Sequence, residues 1–95
     1  MAPRPRPIVA VTTGDPSGIG PEIALAAAAD RRVLSVSQPR LYGPSAPGEL
    51  EAFPAGVVDA RSGRAAYDAV CLAVSDALAG RVDAVGTAPV NKAAF

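Results

Sequence analysis

The sequence has no histidine, no tryptophan, one cysteine and one lysine, and each scarcity narrows what the chain can do. Without histidine it lacks the commonest metal ligand and the commonest general base. A single cysteine, Cys71, builds no disulfide framework, and its place in a helical pattern predicts a small buried core residue rather than a reactive thiol. Aromatics are limited to two tyrosines and two phenylalanines, whereas 21 of the 95 residues are alanine, so few large side chains are available to a core. Chains of this length form at most one domain and bury about 65% of the surface they expose when unfolded, so a core this thin points to a missing partner. Nine basic residues balance nine acidic ones with no like-charge run beyond Arg31-Arg32, which excludes the electrostatic footprint of a nucleic-acid binder. The opening MAPRPRPIVAV carries two arginines and a short apolar run, far less than a secretory leader or membrane span needs, so the expected location is the cytoplasm.

What is present reads as alternating strands and helices. Ile8–Thr12 is a continuous, mostly β-branched run between Pro7 and Gly14, the pattern of a strand covered on both faces. Gly20 suits a helix N-cap, Pro21 the first helical position and Glu22 the first turn, with the helix ending near Asp30 to Arg32, where two cations favour a carboxyl end. The proline-rich segment from Gln38 to Arg61 is expected to hold two short strands, Arg40–Tyr42 and Gly56–Val58. Asp59 or Ser62 can cap a long helix whose apolar positions Tyr67, Val70, Cys71, Val74, Ala77 and Leu78 follow helical spacing until Gly80 stops it. Val82–Thr87 reads as another strand, followed by a turn at Pro89. The alternation implies an α/β fold with a parallel sheet and right-handed crossovers.

Gly14 to Glu22 crowds three glycines and two prolines between the first strand and the first helix. A P-loop requires Lys-Ser/Thr after its last glycine, and Ile19 and Pro21 follow Gly18 and Gly20 instead; a dinucleotide fingerprint requires a small residue where Ile23 stands. Pro21 also removes an N–H that would hold an anion, and Asp15 and Glu22 add negative charge where a phosphate would sit. Two readings remain. The glycines serve only close packing of helix on strand, or Thr13 and Asp15 touch a substrate or a facing domain. A second stretch, VGTAPVNKAAF, places Thr87, Asn91 and Lys92 just past the last strand. In a parallel sheet both loops leave the same edge, where open α/β sheets bind ligands. Lys92 is the only lysine beside eight arginines, which favours a point-charge or catalytic role over a merely solvated charge.

Thr13-Gly-Asp-Pro-Ser-Gly-Ile-Gly-Pro-Glu22, Ser62-Gly-Arg-Ala-Ala-Tyr67 and Thr87-Ala-Pro-Val-Asn-Lys92, in that order, resemble the 4-hydroxythreonine-4-phosphate dehydrogenase family. The resemblance implies an incomplete, isocitrate/isopropylmalate dehydrogenase-like α/β fold: a partial parallel sheet with flanking helices. Residues 1–95 would then form the amino-terminal part of one domain. It also implies NAD-dependent oxidation and decarboxylation of a phosphorylated hydroxy acid on the route to pyridoxal phosphate, in a homodimer carrying a divalent metal. Family members are about three times as long, and the three histidines that hold their metal lie beyond the motif with which this chain ends. The region between Tyr42 and Ser62 is shorter than in the family. By this resemblance the chain alone is expected neither to hold NAD or the metal tightly nor to turn over substrate. Two alternatives stand beside it: a non-catalytic remnant or small binding module, and a fragment of an isopropylmalate-type dehydrogenase. Pro16-Ser17 between Asp15 and Gly18 speaks against the latter, whose turn is tighter. Related members also act on other phosphorylated hydroxy acids or on dihydrodiols, so the substrate stays open at this point.

Overall fold

A computed structural model describes residues 5–53, 55–56 and 60–90. Strand β1, Ile8–Thr12, is the centre of a three-stranded sheet ordered β2-β1-β3. Both pairings are parallel, as the alternation of elements predicts. β2 is Gln38–Tyr42, in register from Ile8 opposite Gln38 to Thr12 opposite Tyr42. β3 is Ala84–Thr87, in register from Val9 opposite Ala84 to Thr12 opposite Thr87. The chain steps from β1 to one neighbour and then back past β1 to the other. Right-handed crossovers therefore put the two connections on opposite faces of the sheet.

Helix α1, Gly20–Ala29, fills the first connection. It starts one residue earlier than its sequence suggests: Ile19 is the N-cap, Gly20 the first helical residue and Pro21 the second. Proline is tolerated there for the same reason, because the first-turn N–H groups have no partner within the helix. The other end also differs. Asp30 is extended, and its carboxylate accepts from Arg32 N–H at 2.8 Å, so it caps a separate helix, α2, Arg31–Val36. The two arginines thus open a second helix instead of closing the first. The pairing of Arg32 with Asp30 is exposed and contributes little.

Only the first of the two strands expected after Gln38 is present among the described residues, and it is β2. Pro47–Leu50 forms a single helical turn, α3, whose Glu49 carboxylate accepts from Ala46 N–H at 3.1 Å. Gly56 sits in a turn, while Val57, Val58 and Asp59 lie outside the described residues.

Helix α4, Ala60–Leu78, packs on the sheet with a face other than the one its hydrophobic spacing selects. Its buried residues are Ser62, Gly63, Ala66, Ala69 and Ala73, whereas Tyr67, Cys71, Val74 and Leu78 are exposed. Ser62 is inside the helix rather than at its cap, and Cys71 is a surface thiol rather than a core residue. Small side chains let the helix axis approach the sheet closely, and bulk is supplied from below. Tyr42 and Val82 join Ala10, Ala69 and Ala73 in the core, with Ile8 and Ala77 packed against it. Val82 precedes β3 instead of belonging to it. At the amino-terminal edge Asp83 closes the sheet, its N–H donating to Ile8 O at 2.7 Å and its carboxylate accepting from Ile8 N–H at 2.8 Å.

The tyrosine that fills the core also holds the far end of α4. Tyr42 Oη donates to Asp76 Oδ2 at 2.5 Å, and Arg81 Nε donates to Asp76 Oδ1 at 2.8 Å. The tyrosine hydrogen bond, then the arginine, hold the Asp76 carboxyl below the usual carboxylate range. A carboxylate whose pKa is depressed by folding stabilises above its unfolded pKa and loses that contribution as pH falls through its folded one. Tyr42→Phe is therefore expected to lower stability at neutral pH. The gap to the unsubstituted chain should close as the pH drops below about 4, into the range where carboxylates protonate. Denaturant titrations followed by circular dichroism at several pH values check this; a gap that stays constant down to acid pH would exclude the carboxylate's part in it.

Candidate active-site rim

The two loops singled out in the sequence leave the sheet side by side. Beyond β1, Thr13 N–H donates to Tyr42 O at 2.9 Å on one side. On the other, Ala88 N–H donates to Thr12 O at 3.0 Å and Asp15 N–H to Pro89 O at 3.1 Å. The loop after β1 is thus clamped between the ends of β2 and β3, and Thr12 through Ser17 are all buried. Two of its glycines are required by this clamping. Gly14 has φ +71°, and a Cβ there would lie 2.2 Å from Pro89 O; a Cβ on Gly20 would lie 2.2 Å from Thr13 O. Backbone meets backbone at both places, which is the packing reading of the glycine-rich turn.

The acids part company. Asp15 is 6% exposed, and its Oδ1 accepts from Ser17 N–H at 2.8 Å while its own carbonyl accepts from Gly18 N–H at 3.0 Å. Its carboxylate therefore folds the turn on itself. Glu22 stands exposed on the first turn of α1. Thr13 is fully buried beside Gly43, where an added Cβ would come within 2.5 Å of its Oγ1. The Thr12 and Thr13 hydroxyls are both buried without a hydrogen-bond partner among the described residues. Thr87 is exposed at the end of β3, beside Thr12. Asn91 and Lys92 lie outside the described residues, four and five positions further along the chain.

One contact escaped the sequence reading. Ser17 Oγ and Ser62 Oγ lie 2.6 Å apart and buried, tying the glycine-rich loop to the first turn of α4, and Ser17 O accepts from Gly56 N–H at 2.7 Å. Serine near a helix start reads as a cap, and only the burial of Ser62 against the loop shows its other use. The loop, the start of α4 and the end of β3 thus form one rim at the carboxyl ends of the strands.

The donor set on this rim does not make a metal site by itself. Among the described residues no three of His, Cys, Asp and Glu come together, and the better-placed carboxylate, Asp15, is turned onto its own backbone. Nor does the first turn of α1 offer a phosphate seat, since Gly20 and Pro21 are buried against the loop that precedes them. No described helix is long and apolar enough to cross a membrane.

Comparison with known proteins agrees with the parallel α/β fold. Residues 10–95 match the family described as pyridoxal phosphate biosynthetic protein PdxA. The chain is 32% identical to a 4-hydroxythreonine-4-phosphate dehydrogenase of Burkholderia vietnamiensis, over 88% of its own length and 34% of that protein. It is 33% identical to a D-threonate 4-phosphate dehydrogenase of Pectobacterium atrosepticum, over 93% of its length and 38% of that protein. The crystal structure of a 4-hydroxythreonine-4-phosphate dehydrogenase from Burkholderia phymatum superimposes with a TM-score of 0.85 at 25% identity, covering 96% of this chain and 38% of that one. The chain therefore spans little more than a third of the length of these relatives. It is also shorter within the matched part. The alignment with the Pectobacterium protein runs over 125 positions but takes in only 93% of 95 residues, so more than thirty of those positions are residues this chain lacks. Parallel order, shared rim and family match converge: the chain belongs to the PdxA family and corresponds to its amino-terminal part.

Proposed function

We propose that this chain forms one wall of the active site of an NAD-dependent dehydrogenase that oxidises a four-carbon hydroxy acid bearing a terminal phosphate. The observation that carries the reading is the clamped rim, with Asp15 N–H and Ala88 N–H bonded across from one loop to the other. It fixes the chain leading to Asn91 and Lys92 beside the glycine-rich turn, at the edge where open α/β sheets bind ligands. The substrates in the names of the Burkholderia vietnamiensis and Pectobacterium relatives share a 4-phosphate, which supports a phosphorylated substrate here. Lys92 would supply a point charge for a substrate anion, and Thr87 and Asn91 neutral hydrogen bonds, while Thr13 and Asp15 hold the glycine-rich turn in shape.

The rest of the machinery belongs to the part of a family-length protein that this chain does not include. When bound, NAD would accept the hydride and a divalent metal would polarise the alcohol oxygen. On this reading both are held by the part of the family's length that the chain does not match, and the enzyme works as a homodimer in the cytoplasm. The chain alone is expected to produce no NADH above a blank.

The test is a graft. Replacing the matched amino-terminal segment of the Burkholderia vietnamiensis enzyme by this chain should give a protein that forms NADH from 4-hydroxythreonine 4-phosphate or D-threonate 4-phosphate. Lys92→Ala in that graft should lower kcat/KM by about a hundredfold, the scale of losing one partner of a desolvated charge pair. A second reading, a shortened remnant that keeps the fold without the reaction, is favoured by the residues missing relative to the Pectobacterium protein. A graft that folds cooperatively and produces no NADH would decide for the remnant.

A further inference from the structure

The step from β1 to β2 and the step from β2 to β3 run in opposite directions across the sheet. Right-handed crossovers therefore send the chain from β1 to α1 on one face and from β2 to α4 on the other. Where the connections of two neighbouring strands part in this way, a crevice opens outside their carboxyl ends, and open α/β sheets take ligands there. Here the parting strands are β1 and β2, and the residues that follow them are Thr13 and Gly43.

A hollow of about 350 Å³ opens at Gly43, within the size range of small-molecule sites. Gly43, Pro44 and Glu49 form one wall, and Ala65, Asp68 and Leu72, spaced i, i+3, i+7 along one flank of α4, form the other. At the base Gly43 meets Ala69, and the Thr13 hydroxyl is aimed at the seam between them. A Cβ on Gly43 would lie 2.5 Å from Thr13 Oγ1 and 3.2 Å from Ala69 Cβ. Thr13 is fully buried, and its Oγ1 has no hydrogen-bond partner among the described residues. A buried hydroxyl in that state is costly until something bonds to it.

The walls are acidic and apolar. Glu49 and Asp68 are both exposed carboxylates, and no basic residue lines the hollow among the described residues. Glu49 Oε1 accepts from Ala46 N–H at 3.1 Å, and Asp68 Oδ1 pairs with the exposed Arg64 at 2.9 Å, which leaves the second oxygen of each carboxylate to another donor. Leu72, 56% exposed, and Pro44 add apolar surface beside them. From these observations we infer that the hollow is a binding site for a small amino alcohol, with its ammonium group against Glu49 and Asp68, its methylene stem on Pro44 and Leu72, and its hydroxyl at Thr13 Oγ1. The same two carboxylates repel an anion. The inference stands on topology and on the chemistry of the walls, not on the dehydrogenase reading, and its test reads binding rather than turnover.

The probe is aminopentanol, titrated at low salt into the isotope-labelled chain and followed by nuclear magnetic resonance. Pentylamine and pentanol are the analogues that lack the hydroxyl and the charge. The amide signals of Gly43, Ala69 and Leu72 should shift saturably with a dissociation constant of roughly 1 mM, the scale of a ligand with so few atoms. Pentanol should bind about tenfold more weakly, and so should aminopentanol to the double variant Glu49→Gln, Asp68→Asn, as the loss of two exposed ion pairs dictates. The glutamine amide oxygen keeps the Ala46 cap, so the double variant should fold as the unsubstituted chain does. Thr13→Val should erase the preference for aminopentanol over pentylamine without lowering the melting temperature, since the hydroxyl it removes has no partner among the described residues. Three results overturn the inference: amide signals around the hollow that do not move, binding unchanged in the double carboxylate variant, or a preference for the hydroxyl that survives Thr13→Val.

Discussion

Alanine in place of Gly14 is expected to leave little folded protein at room temperature. Two independent costs meet at this position. With φ +71° the residue occupies the left-handed region, which costs a residue bearing a Cβ about 1–2 kcal/mol. The Cβ would in addition lie 2.2 Å from Pro89 O and 3.1 Å from Ala88 C and O, all backbone atoms that cannot rotate away. Relieving the clash separates the two loops and breaks the Asp15 N–H to Pro89 O hydrogen bond, leaving a buried donor unpaired at a further cost of about 1–3 kcal/mol. The total is on the order of 4 kcal/mol, most of the stability of a small domain with few large core side chains. In thermal unfolding by circular dichroism the midpoint should fall by roughly 15 °C or more. Gly20→Ala meets Thr13 O at the same 2.2 Å but from a helical residue, so it should cost less. Gly18→Ala has nothing nearer than 3.6 Å and should be close to neutral, or stabilising by up to about 1 kcal/mol through the unfolded chain. The order Gly14, Gly20, Gly18 is the diagnostic. A Gly14→Ala protein that melts within a few degrees of the unsubstituted chain would mean that the two loops do not touch in solution, and the shared rim would go with them.

Much of this rim was legible in the sequence. The β-branched run of Ile8–Thr12 and the glycine and proline punctuation after it announce a buried strand and a tight turn, and alternation with helices makes the sheet parallel, so both loops emerge at one edge. Legibility ended where a short-range signal had two meanings. Arg31 and Arg32 suit a helix carboxyl end, but Asp30 two positions before Arg32 is also a good N-cap, and the cap prevailed. Ser62 suits a cap, yet in the structure its hydroxyl meets Ser17, a partner 45 residues away in sequence that no local pattern announces. The wrong face of α4 has the same origin on a larger scale. Periodicity ranks helix faces by apolar bulk, and here the bulk serves a surface with no cover among the described residues, while the sheet takes the alanines.

That reversal makes opposite predictions for two neighbouring turns of one helix. Ala73 is completely buried where α4 lies on Ala10, Tyr42 and Val82. Leucine there inserts three heavy atoms into a contact whose closeness depends on having none, and the helix must lift from the sheet. Overpacking of this kind costs about 3 kcal/mol, and the neighbouring Ala66 and Ala69 leave no flexible side chain to give way. The same change draws Tyr42 Oη away from Asp76, so the acid sensitivity conferred by that hydrogen bond should weaken as well. Leu78→Ala removes a larger side chain that is 86% exposed, and should stay within about 0.5 kcal/mol of the unsubstituted chain, with any gain coming from the higher helix propensity of alanine. Were the helix seated as its hydrophobic spacing suggests, the ranking would invert: Ala73→Leu would be a mild surface change and Leu78→Ala a cavity of about 3 kcal/mol. Urea titrations of the two variants separate the cases by several kcal/mol in opposite directions.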